Sequence, residues 1–373
     1  MQVERKLHIA IFLATSGHSG VDRIAKNLIY EWARMGIRID LLKVLNHGPY
    51  LDRLPPGCRL IQLGTTHVTS ALPRLLDYIK QSRPDLLFTD KDRVNRVAIT
   101  ACLLNGTATG VVVRIGTMVS ENLKNRSLIE RIIQLFSMRY LYPCADAVLV
   151  PSHSVAEDLI KLSGLDRHLV RVVPTPVIDD SVFQMAAQSP GHPWFRSGDL
   201  PIILGMGELS ERKDFATLIK AFAIVRKVRP CRLVILGKGR MYSSLVNLSR
   251  RLGIEKDVFF PGFVSNPYAY LSRAAVFVLA SRYEGGMPVS LIEALSLGVP
   301  CVSTDYPGGC KEILQGKNLG ILTPVGSETA MARAIVKMLD NPPDRDVIRL
   351  GVENFKASSA SRCYLQAMGI GEF

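Results

Sequence analysis

The segment from Ala274 to Val302 constrains the fold of this chain more than any other. An apolar run, Ala274–Ala280, leads into the turn Tyr283-Glu284-Gly285-Gly286-Met287-Pro288. An apolar helical pattern follows through Leu291, Ile292, Ala294 and Leu295, and then a second apolar segment, Val299-Pro300-Cys301-Val302. Strand, glycine turn, helix and strand make a βαβ unit, which takes ligands beyond the carboxyl end of its first strand. The bare amides of Gly285 and Gly286 and the N-terminus of the helix that follows suit an anion. The carboxylates of Glu284 and Glu293 suit hydroxyls. A ligand with both phosphate and many hydroxyls is a nucleotide sugar.

The same alternation runs along the whole chain. Strands are predicted at 7–13, 37–43, 59–63, 85–89, 111–115, 147–151 and 170–173, and again at 202–206, 232–236, 257–260, 276–280, 300–303 and 320–322. Strands that alternate with helices make parallel sheets. With 373 residues, 47% of them hydrophobic, the chain suffices for two cores. Proline and glycine cluster without a period between Pro174 and Pro201, which marks a boundary. The expected fold is α/β: two doubly wound Rossmann-like parallel-sheet domains facing across a cleft. The expected divisions are an N-terminal domain over 1–180, a linker over 181–199, a C-terminal domain over 200–355, and a tail over 356–373 packing back on the N-terminal domain.

The formal charge of +13 calls for an anionic partner. The excess is spread over both halves and makes no basic stripe with interleaved aromatics, which argues against nucleic acid. Nucleotide phosphates and an anionic membrane surface remain. The seven cysteines are odd in number and contain no Cys-x-x-Cys pair, so reduced thiols in the cytoplasm are expected. Charged Glu4, Arg5 and Lys6 lead straight into a short strand, unlike a signal peptide. No apolar run reaches the ~18 residues of a membrane span, so a peripheral location on the inner face of the plasma membrane is the furthest expectation. One helical segment, Lys124–Tyr142, mixes Arg126, Arg131 and Arg139 with Leu128, Ile132, Leu135 and Phe136. It could lie on a membrane, but its four apolar residues share one face, and that favours a helix packed on the core.

Further constellations follow strand ends. Gly17 and Gly20 flank His18 and Ser19 ahead of a helix and would let backbone approach a phosphate, or serve as a plain turn with Ser19 as the cap. Arg212 and Lys213 follow Gly205-Met206-Gly207-Glu208 and could neutralise a diphosphate. Gly237 opens another turn, and backbone near Phe263 and Val264 could read a nucleobase. Glu293, expected on a largely buried helix, could hold both hydroxyls of a ribose. Asp90-Lys91-Asp92 and Asp344-Arg345-Asp346 have metal-like spacing. Lys91 and Arg93 can neutralise the first, and the second reads as a helix start, so no metal site is expected.

Taken together, residues 6–340 resemble the retaining nucleotide-sugar glycosyltransferases of family 4, which have the GT-B fold. The resemblance is most specific from Gly205 to Leu314, in Arg212-Lys213-Asp214-Phe215, Pro267-Tyr268-Ala269-Tyr270 and Asp305-Tyr306-Pro307-Gly308-Gly309. These phrases are similar to the branch that builds bacterial surface polysaccharide, lipopolysaccharide included. The resemblance implies that Glu284 contacts the donor sugar, that Arg212 and Lys213 hold the diphosphate, and that the 17–20 loop closes over it. Together these are the expected catalytic residues Glu284, Arg212 and Lys213, and the donor-binding residues Gly17, Ser19, Gly20, Gly207, Gly237, Val264, Gly285, Gly286, Met287, Pro288, Val289 and Glu293. The acceptor, a saccharide or a lipid-linked saccharide, is expected at His18, Lys91 and Thr117. The resemblance further implies a UDP- or GDP-sugar donor and neither metal nor cofactor. Three departures stand out. Eight residues separate Glu284 from Glu293 where the family has seven, Glu208 stands where the family often has arginine, and Gly116 stands where many relatives carry histidine. Two other functions fit the same fold: a nucleotide-sugar-binding partner that has lost catalysis, and a sugar phosphorylase.

Overall fold

The computed structural model describes residues 6–16, 20–51, 53–124, 126–195, 200–315 and 318–371. The chain divides into two compact units. One holds Met1–Val177, Gly285–Met287 and Ala357–Phe373; the other holds Ile178–Glu284 and Pro288–Lys356.

The first unit is a parallel sheet of β1 (His8–Leu13), β2 (Arg38–Lys43), β3 (Cys58–Gln62), β4 (Leu86–Asp90), β5 (Gly110–Arg114), β6 (Ala147–Val150) and β7 (Val170–Val172), in the order β3-β2-β1-β4-β5-β6-β7. All six residues of β1 and all five of β4 are buried, as strands covered by helices on both faces must be. The sheet order reverses between β1 and β4. Helix Ala357–Ala367, at the far end of the sequence, completes this core: Trp32 Nε1 donates to Ser361 O at 3.2 Å, and Arg114 Nε to Tyr364 Oη at 3.0 Å. Arg114 Nη1 also donates to Asp90 Oδ2 at 2.6 Å, so its buried guanidinium is paired. Under β2, Asp40 accepts from Arg59 at 2.7 and 2.8 Å and from Tyr78 Oη at 2.8 Å, and His8 Nε2 lies 2.9 Å away.

The second unit is a parallel sheet of β8 (Ile202–Met206), β9 (Arg232–Leu236), β10 (Val258–Gly262), β11 (Val276–Leu279), β12 (Cys301–Thr304) and β13 (Gly320–Thr323), in the order β10-β9-β8-β11-β12-β13. Its order reverses between β8 and β11, where Val276 sits beside Ile203 and Phe277 beside Leu204. Gly205 is a packing requirement: a Cβ there would stand 2.8 Å from Leu218 Cδ2 and 3.0 Å from the Phe215 ring, on the helix covering β8. Residues 181–195, expected as linker, hold the helix Asp180–Ala187. It is anchored within the second unit, where Asn266 Nδ2 donates to Met185 O at 2.9 Å.

Helix Leu128–Tyr140 opens on a capping box between Ser127 and Glu130, and the expectation of a core-packed apolar face fails there. The helix buries Gln134, Ser137 and Met138 instead, with Leu135 packed at the margin. Leu128 is 72% exposed, Ile132 58% and Phe136 64%. The physical reason is that the helix turns the side bearing Gln134, Ser137 and Met138 toward its neighbours, the helix His153–Ser163 and the 3-10 segment Tyr142–Cys144, which leaves the apolar arc on the opposite side. No described helix is long and apolar enough to cross a membrane.

Candidate functional site

In an open α/β sheet the strand reversal leaves a crevice beyond the strand ends, the usual place for a ligand. In the second unit, the turns after β8 and β11 meet there. The β8 turn closes in a short 3-10 segment, Glu211–Lys213, and Asp214 then caps the helix Phe215–Val228. Asp214 sits at φ 45°, and its carboxylate accepts from Thr217 Oγ1 at 2.9 Å. The β11 turn docks onto this cap. Arg282 N donates to Arg212 O at 2.8 Å, and Arg282 Nε lies 3.1 Å from Asp214 Oδ2.

Three of the expected residues converge as a result. Arg212 Nη1 donates to Glu284 Oε2, and Lys213 Nζ donates to Glu284 Oε1. Ser281 Oγ donates to the same Oε1 at 2.6 Å. Glu284 is 8% exposed, and two cations and a hydroxyl offset the cost of burying its charge. The longer spacing to Glu293 therefore leaves Glu284 beside the basic pair. Gly285, Gly286 and Met287 follow it in the same turn. Pro288 caps the helix Val289–Ser296, whose first amides begin at Val289.

Glu293 lies on that helix and is 5% exposed. Tyr268 Oη donates to its Oε1 at 2.9 Å. Tyr268 and Ser281 are site residues that sequence reasoning did not single out. Both stood inside stretches quoted above, and only the fold shows what their hydroxyls touch. Tyr306 is a third. It is 1% exposed, its hydroxyl has no hydrogen-bond partner among the described residues, and burial, followed by Cys310 and Glu284, pushes its phenol up.

Gly207 and Gly237 line a second space, a cavity of about 380 Å³ bounded also by Lys238, Phe263 and Val264. Their first task is packing. Gly237 has φ 140°, and a Cβ there would stand 1.9 Å from Gly207 O, so the β8 and β9 turns could not lie together. Phe263 is 70% exposed at the cavity edge, with Lys238 Nζ 6.0 Å from its ring centroid. The room and the flat apolar wall suit a planar base.

In the first unit, Lys91 and Thr117 line a cavity of about 230 Å³ together with Asp92, Arg126 and Gln134. Gln134 is 2% exposed, and its Oε1 has no partner among the described residues. Burial pushes the Asp92 carboxyl up, against the pull of Arg96 and Arg126. The Asp90-Lys91-Asp92 carboxylates diverge, Asp90 to Arg114 and Asp92 to Arg96, 3.0 Å away. Among the described residues no three His, Cys, Asp or Glu side chains are grouped to hold a metal. Asp344 caps the helix Arg345–Leu350. Gly20 opens the helix Gly20–Arg34, whereas Gly17, His18 and Ser19 lie outside the described residues.

Two family models cover most of the chain. Residues 18–181 match Glycosyltransferase Family 4, and residues 193–351 match Glycosyl transferases group 1. Over 371 residues the chain is 26% identical to N-acetylgalactosamine-N,N'-diacetylbacillosaminyl-diphospho-undecaprenol 4-alpha-N-acetylgalactosaminyltransferase of Campylobacter jejuni, covering 95% of each chain. It is 31% identical over 175 residues to the lipopolysaccharide core biosynthesis glycosyltransferase LpsE of Rhizobium meliloti, 46% of this chain and 50% of that one. Among solved structures, the lipopolysaccharide outer core galactosyltransferase WaaB superposes with a TM-score of 0.75 at 20% identity, over 97% of this chain and 99% of that one. Anabaena HepE in complex with UDP superposes at 0.77 and 16% identity, over 96% and 99%. With two parallel-sheet units, paired acids and bases at a strand reversal, and both family models in sequence, the chain is a GT-B glycosyltransferase that joins a family 4 domain to a group 1 domain.

Proposed function

We propose that this enzyme transfers a sugar, with retention of anomeric configuration, from a UDP- or GDP-sugar to a hydroxyl of a saccharide or lipid-linked acceptor in bacterial surface-glycan synthesis. One observation carries the donor half: Arg212, Lys213 and Glu284 converge at the strand reversal of the second sheet. A diphosphate entering there meets two cations held 13% and 31% exposed, and it competes with Glu284 for them. The carboxylate so displaced is free to accept from sugar hydroxyls. Glu293, steadied by Tyr268, takes the ribose, and the cavity at Phe263 and Val264 takes the base. Lys91 and Thr117 belong to the acceptor.

In the proposed reaction the acceptor oxygen bonds to the anomeric carbon as the bond from that carbon to the phosphate oxygen breaks. The electron pair leaves on the diphosphate, where Arg212 and Lys213 stabilise it. The acceptor proton passes to the departing phosphate on the same face. No second carboxylate is needed, and no metal, because side-chain cations supply the charge. The printed acceptor of the Campylobacter relative, a diphospho-undecaprenol glycan, supports a lipid-linked substrate here. Seven free cysteines support a cytoplasmic location.

The test is release of UDP or GDP from a panel of nucleotide sugars in the presence of membrane-extract acceptors. Donor binding with no turnover on any acceptor would favour the non-catalytic partner. Phosphate-dependent cleavage of a disaccharide would favour the phosphorylase.

A further inference from the structure

The helix Leu128–Tyr140 presents six large apolar side chains to solvent: Leu128, Ile129, Ile132, Ile133, Phe136 and Tyr140, between 44% and 72% exposed. At about 100° per residue they fall within an arc of about 140°, one continuous stripe along the helix. No other described helix exposes more than two such residues. Phe136 and Tyr140 pack within the stripe at a tilt of 45°, ring centroids 4.7 Å apart.

Arginines line one edge of the stripe, and Glu130, paired with Arg93, stands beyond the other. Arg131 donates to Arg126 O and Lys124 O, both at 3.0 Å, which holds its guanidinium at the start of the helix. Arg139 lies 5.9 Å from the Tyr140 ring at the other end, and Lys124 is exposed nearby. An apolar stripe with arginines along one edge and at its start is the pattern of a helix lying in the headgroup layer of a bilayer. We propose that this face docks the enzyme on an anionic phospholipid membrane, its apolar side chains among the acyl chains and Arg126, Arg131 and Arg139 on the lipid phosphates. A second copy fits the surface poorly. The helix is about 20 Å long and ~10 Å wide, so it offers about 200 Å² against the ~800 Å² per partner of a stable interface. Two copies would also bring together chains of charge +13.

This inference does not rest on the transferase reading, and its test needs no donor. The full chain is sedimented with vesicles of equal parts phosphatidylglycerol and phosphatidylcholine, and with phosphatidylcholine alone. We expect binding to the anionic vesicles at least tenfold stronger than to the neutral ones, weakening as salt rises. The double variant Ile132→Ser/Phe136→Ser should lose about tenfold in vesicle partition while keeping the far-ultraviolet spectrum and melting temperature of the parent. These side chains are exposed, so folding is not at risk. Failure of the parent to bind anionic vesicles, equal binding to both vesicle types, or undiminished binding by the variant would each overturn the proposal. So would a concentration-dependent dimer that the same variant abolishes, which would assign the face to a second copy. UDP release on a water-soluble acceptor should be equal in parent and variant, so a failed transferase assay leaves the membrane result standing.

Discussion

Arg212 and Glu284 face one another from the ends of neighbouring strands. The guanidinium rises from the turn after β8 and the carboxylate from the turn after β11, and the backbone bond from Arg282 N to Arg212 O keeps the two turns in step. The basic pair is thus met by an anion from the chain itself. Glu284→Gln should separate the two roles proposed for this acid. UDP should bind several-fold more tightly, because its diphosphate no longer competes with a carboxylate, and turnover should fall by about a hundredfold. Calorimetry with UDP and a steady-state assay read the two changes, and weaker UDP binding would refute the competition.

Lys213→Ala removes one cation from the leaving diphosphate and leaves Glu284 with Arg212 and Ser281. Turnover should drop by roughly 10²- to 10³-fold. Activity should persist in excess chelator, since the diphosphate charge is met by side chains. Loss of activity in chelator, restored by a divalent cation, would overturn that account.

Tyr268→Phe deletes the hydroxyl that donates to Glu293 at 2.9 Å. A hydrogen bond to a charged group contributes about 1.5–3 kcal/mol, so the donor KM should rise about tenfold or more with kcat little changed. Glu293→Ala should raise the donor KM further. A change confined to kcat would take both residues away from ribose binding.

Asp40 supplies a pH-dependent share of stability. Burial alone would raise its pKa, but hydrogen bonds from His8, Arg59 and Tyr78 outweigh it and hold the carboxyl well below the usual 3.8. A depressed folded-state value stabilises the protein above the unfolded-state value and is lost as pH falls through the folded one. Asp40→Ala should therefore cost about 3 kcal/mol near neutrality, and the gap to the parent should narrow only below pH ~4. Thermal melts of both proteins across pH 7 to 3 measure it, and a constant gap would count against the charge as its source.

Much of the fold was legible because buried parallel strands are short apolar runs that few other structures tolerate. β1, β8 and β11 stand within a residue of their expected bounds. Arg212, Lys213 and Glu284, which the structure brings together, could be singled out as well, since acids and bases at strand ends are chemically conspicuous. Partnership was not. Nothing along the chain says that Glu284 would receive both Arg212 and Lys213, or that Tyr268 would reach Glu293, because those contacts depend on strand order. Helix Leu128–Tyr140 was misjudged for a related reason. Periodicity shows that an apolar face exists but not which face the neighbouring layer covers. The 181–195 segment misled differently: its prolines lie after a short helix rather than within it.

The helix Ala357–Ala367 has a consequence for biosynthesis. A ribosome emits β1 to β7 first, yet Trp32 and Arg114 wait for Ser361 and Tyr364, on a helix that follows the second unit in sequence. The first sheet to be made thus holds a buried guanidinium without its phenol partner until the second unit has already emerged. Order of synthesis and order of completion run opposite ways, and a nascent chain stalled before residue 357 would carry a finished second unit and a first unit with an open core.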